Sequence, residues 1–398
     1  MRRLPALACL LLLLAPSWPA RPQVLPEAVP PLPRVPVNAP VDALNGTVST
    51  LADDAVSTVN GYRAQAEALL RDARGQVARA PGDALMRRAE YLAMDLDEAG
   101  RTAARAAGFE VVRDARDDDL GLAITLLRDT RGRSPARALR ALRKALPGRA
   151  IEPHHLFLPA GGQAGATDDA PAMDGALRVG LVDGGVDTTS TALAQARIVR
   201  HGCDGKARPQ PHGTHVATRL VGGQPSTLYA ADLWCGERVG GDTLALVDAL
   251  RWMARERVPV VNVSLVGPDN VALRRTVEAL LARGHVVVAA AGNDGPAAAP
   301  RYPAAYPGVV AVAAVDARGV LLPESAVGAH IDACADGVVD ARARTRGTSF
   351  AAPLVARVLA RAYPVATPGR SAEAVRVLAR SARPARTPRC GAGIVSPT

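Results

Sequence analysis

The sequence predicts an α/β fold: a parallel sheet with helices on both faces, preceded by a helical segment and a small α+β domain. Three observations carry this. From Arg178 onward, short apolar runs near 179–183, 228–234, 259–265 and 285–291 alternate with helix-period stretches near 213–221, 243–256 and 270–282. Such alternation puts a crossover between successive strands, which is how parallel sheets are connected. The polar residues Asp183, Ser264 and Asn293 fall at or just beyond the C-terminal ends of those runs, where open α/β sheets place their sites. Before Arg178 the pattern is different and points to separate units.

Those units follow in order. Residues 1–20 open Met1-Arg2-Arg3, continue with an apolar run from Leu4 to Ala15 and end on Ala20. That is a secretory signal, too short for the ~20 residues of a membrane span. Residues 21–40 are proline-rich and read as a linker. Residues 41–108 are read as helical, because Val48, Leu51, Ala55, Val59, Tyr62, Ala66 and Leu69 recur at helix spacing. In 109–160, strands are expected at 109–112 and 122–127. A helix opens at Ser134-Pro135 with a cap and a first-turn proline, and a last strand spans 151–157. Residues 161–174, rich in Gly, Ala and Asp, read as a processing joint, and 175–398 as the main domain.

Three segments of the main domain carry chemistry. Arg178-Val179-Gly180-Leu181-Val182-Asp183-Gly184-Gly185 is a buried strand ending in a carboxylate. His212-Gly213-Thr214-His215 opens a helix. Arg346-Gly347-Thr348-Ser349-Phe350-Ala351-Ala352-Pro353 puts a serine at a helix N-terminus, close to backbone N–H groups and the positive end of the helix dipole. Alone, each reads as an ordinary turn acid, helix-start histidine or cap. Together they make a nucleophile, a proton carrier and a carboxylate that orients the carrier.

On these residues the chain resembles the subtilisin-like serine peptidases, the subtilases, whose catalytic order is Asp, His, Ser. The resemblance covers roughly the last 220 residues. It implies Asp183, His212 and Ser349 as the triad and Asn293, in Val286 to Pro296, as an oxyanion donor. It implies that Ser264, Leu265, Val266 and Gly267 pair with the substrate backbone by strand addition. With Ala289, Ala290, Ala291 and Gly292 they would wall the specificity pocket. Residues 109–160 resemble the small inhibitory and chaperone-like propeptide of the family. The implied partners are protein or peptide substrates and the chain's own propeptide, for a mature enzyme that is monomeric. No metal or organic cofactor is required, and no calcium loop is legible. Three departures stand out. Gly184 replaces the usual hydroxyl residue after the aspartate, Val266 replaces a glycine in the substrate strand, and Ala335-Asp336-Gly337 replaces Ala-Pro-Gly.

Composition limits the alternatives. The chain has 398 residues, a formal charge of +10 and 3% aromatics. No compact basic tract with interleaved aromatics occurs, so nucleic-acid binding is not expected, and neither is a stable membrane anchor. The location implied is periplasmic or extracellular. Outside the signal lie Cys203, Cys235, Cys334 and Cys390. An even number in an exported chain points to two disulfides. The pairing expected is Cys203–Cys235, because each cysteine lies beyond one of two neighbouring parallel strands, leaving Cys334–Cys390. The main rival to a peptidase is a non-catalytic secreted binding protein on the same fold. An esterase or peptidyl transferase would use the same triad.

Overall fold

The structure, a computed structural model, describes residues 61–118, 120–161, 176–206, 208–340, 345–385 and 387–397. The signal, the linker, residues 41–60 and nearly all of the processing joint lie outside the described residues. Among the described residues no helix is long and apolar enough to cross a membrane.

The N-terminal domain begins with helix α1 (Tyr62–Asp72) and strands β1 (Val77–Arg79) and β2 (Leu85–Met94). It continues with α2 (Glu98–Ala106), β3 (Phe109–Asp117), β4 (Leu122–Asp129), α3 (Pro135–Ala145) and β5 (Ile151–His155). From β2 onward this is a βαββαβ unit, with antiparallel order β3-β4-β2-β5 and β1 also pairing with β2. The expected strands and the Ser134-Pro135 helix start are present. The helical reading of 41–108 needs correcting: among its described residues, Leu85–Met94 is the sheet's central strand and the unit starts well before 109. Two things hide that strand in the sequence. A register shift between Met86 and Tyr91, with Ala89 at φ 61°, breaks the alternation. Its last four residues are also all buried, because Tyr91 and Ala93 pack into the domain's own core while Leu92 and Met94 pack against Leu244, Val247 and Ala272 of the C-terminal domain.

The C-terminal domain follows β6 (Leu158–Pro159). It comprises β7 (Leu177–Asp183), β8 (Ala196–His201), α4 (Pro211–Val221), β9 (Ser226–Asp232), α5 (Thr243–Arg255), β10 (Val260–Val263), β11 (Leu265–Val266) and α6 (Val271–Ala282). Then come β12 (Val286–Ala290), β13 (Val310–Val315), β14 (Ala333–Asp336), the short hairpin β15 (Val338–Asp340) and β16 (Thr345–Arg346), α7 (Thr348–Ala362), α8 (Arg370–Ser381) and β17 (Ile394–Val395). Eight strands form a parallel sheet in the order β17-β14-β13-β12-β10-β7-β9-β8. Alternate residues feed opposite faces: Val286, Val288 and Ala290 pack with α4, α7 and α8, whereas Val287, Ala289 and Ala291 pack with α5 and α6. From β7 the chain goes first to the edge strand β8, returns to β9 between them, and then crosses to β10 on the other side of β7. The crevice beside β7 is therefore a topological switch point. Both expected disulfides are present, with Cα–Cα distances of 5.1 Å for Cys203–Cys235 and 5.0 Å for Cys334–Cys390.

The N-terminal domain docks where α5 and α6 begin. Asp242 caps α5, accepting from Ala245 N at 3.0 Å, and Asn270 caps α6 through Ala272 N and Leu273 N. The end of β5 lies on these caps. His154, 3% exposed, is held between two carboxylates: Nδ1 is 2.8 Å from Glu90 Oε2 of its own domain and Nε2 is 3.1 Å from Asp242 Oδ1 across the interface. Burial opposes its charge, but the hydrogen bonds it donates to Asp242 and Glu90 outweigh burial and raise the pKa above 6.5. Arg87 and Arg128 bond the same two acids. Next to it, His155 is 3.2 Å from Asn270 Nδ2, and burial and His154 lower its pKa to about 4 despite Asp269.

The two histidines respond to pH in opposite directions. His154 gains a proton's worth of stability below its free pKa and loses it as pH rises through the raised value. His155 must stay neutral, so stability is lost as pH falls from 6.5 toward 4. The thermal stability of the intact chain is therefore expected to peak near pH 6.5. His154→Asn should flatten the alkaline limb and, by removing a charge that lowers the His155 pKa, soften the acid limb too; an unchanged alkaline limb in calorimetry would refute the clamp.

Candidate active site

The catalytic-type residues come together at the C-terminal ends of the central strands. Asp183 ends β7 and is fully buried. His212 lies in the first turn of α4, after Pro211, and its Nδ1 donates to Asp183 Oδ1 at 2.8 Å. That bond leaves Nε2 as the basic nitrogen. Gly184 supplies what a side-chain hydroxyl would otherwise give, since its N–H donates to Asp183 Oδ1 at 2.6 Å. Asp183 Oδ2 has no hydrogen-bond partner among the described residues.

Ser349 is the second residue of α7. Its Oγ donates to the Ser264 carbonyl at 2.9 Å, and Ser264 Oγ donates back to the Ser349 carbonyl at 3.0 Å. Asn293 follows β12. Its Oδ1 accepts from Thr348 N at 3.0 Å and Thr348 Oγ1 at 3.2 Å, which turns Nδ2 toward the cleft. Nδ2 and the Ser349 N–H then converge on one acceptor, the carbonyl of Ala160, at 2.5 and 2.9 Å. The site is thus filled by the chain's own residues. Ala160 N donates to the Ser264 carbonyl at 3.1 Å. A Cβ on the next residue, Gly161, would lie 3.2 Å from His212 Nε2 and 3.3 Å from the Ser349 Cβ.

The segment leading to Ala160 lies as a strand between two edges. On one side, Leu158 and Pro159 pair antiparallel with Val266 and Leu265. On the other, Phe157 N donates to the Gly241 carbonyl at 2.8 Å and Leu156 bridges to Asp242. This second edge was not read from the sequence; the signal was the pair Gly240-Gly241 ahead of the Asp242 cap. Glycine is required there, since a Cβ on Gly241 would meet the Phe157 carbonyl at 2.5 Å. Helix α1 covers the segment, with Gln65 Nε2 donating to the Pro159 carbonyl at 2.8 Å and Tyr62 OH to the Leu156 carbonyl at 3.3 Å. Arg301, paired with Asp294 at 2.8 Å, stacks over the Tyr62 ring.

Of the expected pocket residues, Val266 and Ala290 share an apolar cluster with Ala160, whereas Leu265, Ala289 and Ala291 belong to the opposite face of the sheet. Ala289 and Ala291 thus lie on the other side of the sheet from the cluster that holds Ala160, because adjacent strand residues face opposite sides. Gly292 stays beside the cleft, where a Cβ would be 3.7 Å from Val266 Cγ1. Gly267 pairs with Tyr302 and takes the Phe157 ring against it. Among the described residues, one grouping has metal-ligand spacing, Cys203, Asp232 and Cys235. Its two sulfurs are joined in a disulfide and are not available as thiolates.

Comparison with known proteins agrees with this arrangement. The Subtilase family profile matches residues 175–393. Subtilisin DY of Bacillus licheniformis is 34% identical over 207 residues, covering 45% of this chain and 74% of that protein. Subtilisin NAT of Bacillus subtilis subsp. natto is 30% identical over 204 residues, but the match spans only 53% of its length. Among solved structures, fervidolysin from Fervidobacterium pennivorans, a keratinolytic enzyme related to subtilisin, superposes with a TM-score of 0.61 at 18% identity. That match covers 78% of this chain and 60% of that one and speaks to the fold alone.

The approach of Gly347 to the site gives a test that needs no assumption about activity. Gly347 has φ 149°, and a Cβ there would fall 2.6 Å from Asn293 Nδ2 and 2.9 Å from the Ala160 carbonyl oxygen. Gly347→Ala is expected to destabilise the chain by about 1–3 kcal/mol through backbone strain and displacement of Asn293. Equilibrium unfolding in urea measures it, and an unchanged midpoint would contradict the stated packing.

Proposed function

Because the chain belongs to the subtilase family, a family of serine endopeptidases, we propose that it is a secreted zymogen that hydrolyses peptide bonds through Asp183, His212 and Ser349 and first cuts itself between Ala160 and Gly161. The observation that carries this reading is the Ala160 carbonyl held by the Ser349 N–H and the Asn293 amide. Those two donors are where a tetrahedral oxyanion needs them.

The steps follow from the groups present. Ser349 Oγ rotates from the Ser264 carbonyl toward His212 Nε2, gives up its proton there and bonds to the Ala160 carbonyl carbon. Asp183 keeps the imidazole oriented and offsets its charge. The oxyanion formed on Ala160 is stabilised by Ser349 N–H and Asn293 Nδ2. Collapse breaks the C–N bond, and His212 passes its proton to the Gly161 nitrogen. Water then hydrolyses the Ser349 ester by the reverse route, leaving a carboxylate on Ala160 and a free hydroxyl on Ser349. Residues 61–160 are the propeptide on this reading. They fill the cleft after cleavage and inhibit until removed. The apolar stretch at the N-terminus and the two disulfides support export. No step calls for a metal or an organic cofactor, and the mature enzyme acts as a monomer on protein or peptide substrates.

Ser349→Ala is expected to accumulate as an uncut chain. The wild-type should yield a fragment whose N-terminal sequence starts at Gly161; a mature N-terminus elsewhere, produced by the enzyme's own action, would refute the assigned bond. Asn293→Ala should lose about 10²–10³ in kcat with little change in KM.

Specificity should follow Ala160. Val266 leaves room for small or medium apolar side chains, so a positional-scanning peptide library should favour Ala over Phe. Val266→Gly should relax that preference by about 1–3 kcal/mol. An identical profile for the variant would show that Val266 does not bound the pocket.

A further inference from the structure

Five arginines from separated stretches of the chain line one cavity of about 820 Å³. Arg178 comes from β7, Arg251 and Arg255 from α5, Arg257 from the turn before β10 and Arg283 from the turn before β12. The cavity lies at the N-terminal ends of the strands. Asp183 is five residues further along β7, about 17 Å away by strand rise.

Among the described residues one carboxylate lines the cavity, and it belongs to the N-terminal domain. Asp117, at the end of β3, is 8% exposed. Its Oδ2 accepts from Arg251 Nε at 2.6 Å and lies 3.7 Å from Arg255 Nη1, while Oδ1 accepts from Leu120 N at 2.9 Å. Burial pushes the carboxyl pKa up, but the bonds from Arg251 and Leu120 pull it below the ordinary value. Arg178 is satisfied on neutral acceptors, the carbonyls of Arg257 and Glu256 and the Tyr229 hydroxyl. Among the described residues no carboxylate pairs with Arg178, Arg257 or Arg283. Arg257 is also held at φ 52°, a strained conformation for a residue with a side chain. His285, its pKa lowered by burial despite a hydrogen bond to the Val258 carbonyl, adds no charge at neutral pH. Among the described lining residues one acid thus faces five guanidinium groups, with Asp248 also acting on Arg251 and Arg255 from outside the lining.

We propose that this cavity is a binding site for acidic peptide segments, with Asp117 of the N-terminal domain as its resident pseudo-ligand. The chemistry fits a run of carboxylates: guanidinium forks take carboxylates in a bidentate way, and the volume is that of a site for several side chains. Asp117 supplies one such carboxylate, accepting from Arg251 Nε. Among the described residues no Phe, Tyr or Trp lines the cavity, so they offer no stacking platform of the kind that single-stranded nucleic acid uses. The site stands apart from the peptidase reading and needs no cleavage to operate. It gives the enzyme a second contact, remote from the cleft, for any substrate carrying an acidic stretch.

The test uses the full chain with Ser349→Ala, which keeps it in one piece, and a fluorescent Asp-Asp-Asp-Leu peptide followed by anisotropy. Binding is expected to weaken as salt rises and to vanish for the Asn-Asn-Asn-Leu control. Asp117→Asn keeps the acceptor for Leu120 N and removes the resident charge. It should tighten peptide binding by up to about fivefold, the scale of one ion pair. Adding Arg283→Gln should cancel that gain. If Asp117→Asn leaves the affinity unchanged, the pseudo-ligand reading fails. If an oligothymidylate of equal charge binds more tightly than the peptide, the site is a nucleic-acid site and the proposal is wrong.

Discussion

The contact on which the rest of this structure depends is one carbonyl oxygen, that of Ala160, held by the Ser349 N–H and the Asn293 side-chain amide. Two hydrogen bonds to a buried oxygen fix the position of everything behind it. They require Ser349 at the start of a helix, with its N–H free of any intrahelical partner. They require Asn293 to face inward, which the Thr348 N–H enforces by bonding the other end of the amide. They also set the register of Leu156 to Ala160 between its two neighbouring edges, and through β5 the place of the whole N-terminal domain.

That domain is held by polar contacts at helix starts as much as by apolar packing. Asp242 and Asn270 do double duty. Each caps its own helix and each receives a group from the end of β5. A shared cap of this kind couples docking to the ends of α5 and α6, the two helices that cover one face of the parallel sheet. The buried imidazole between Glu90 and Asp242 makes the coupling sensitive to protonation, since a charge so placed is favourable only while both acids remain paired with it.

Much of this was legible in the sequence, for identifiable reasons. The parallel strands are short runs of Val, Leu and Ala buried on both faces, and helical patterns of the right length separate them. Asp183, His212 and Ser349 could be named because each sits in a short segment that, in the order Asp, His, Ser, resembles the subtilases. Other features were illegible because sequence period cannot register them. In Leu85–Met94 a bulge and two-sided burial erase the alternation that marks a strand. In Ala289–Ala291 a uniform run of alanine conceals which residues face the cleft. The arginine cavity draws on residues 178 to 283 and on crossovers that bring them to one end of the sheet. Along the chain those residues look like dispersed surface charge.

The slot that holds Leu156 to Ala160 has backbone donors and acceptors on both sides, from Gly241 and Asp242 on one and Ser264 to Val266 on the other. A chain entering it must present about five residues fully extended, some 16 Å of strand, with its own N–H and C=O groups free. Helices and the inner strands of sheets have those groups committed and cannot enter without being peeled open. Any protein that takes the place of the resident segment is thus sampled first for how readily it frays. Loops, termini and partly unfolded stretches are admitted, while a well-packed fold is passed over whatever its sequence.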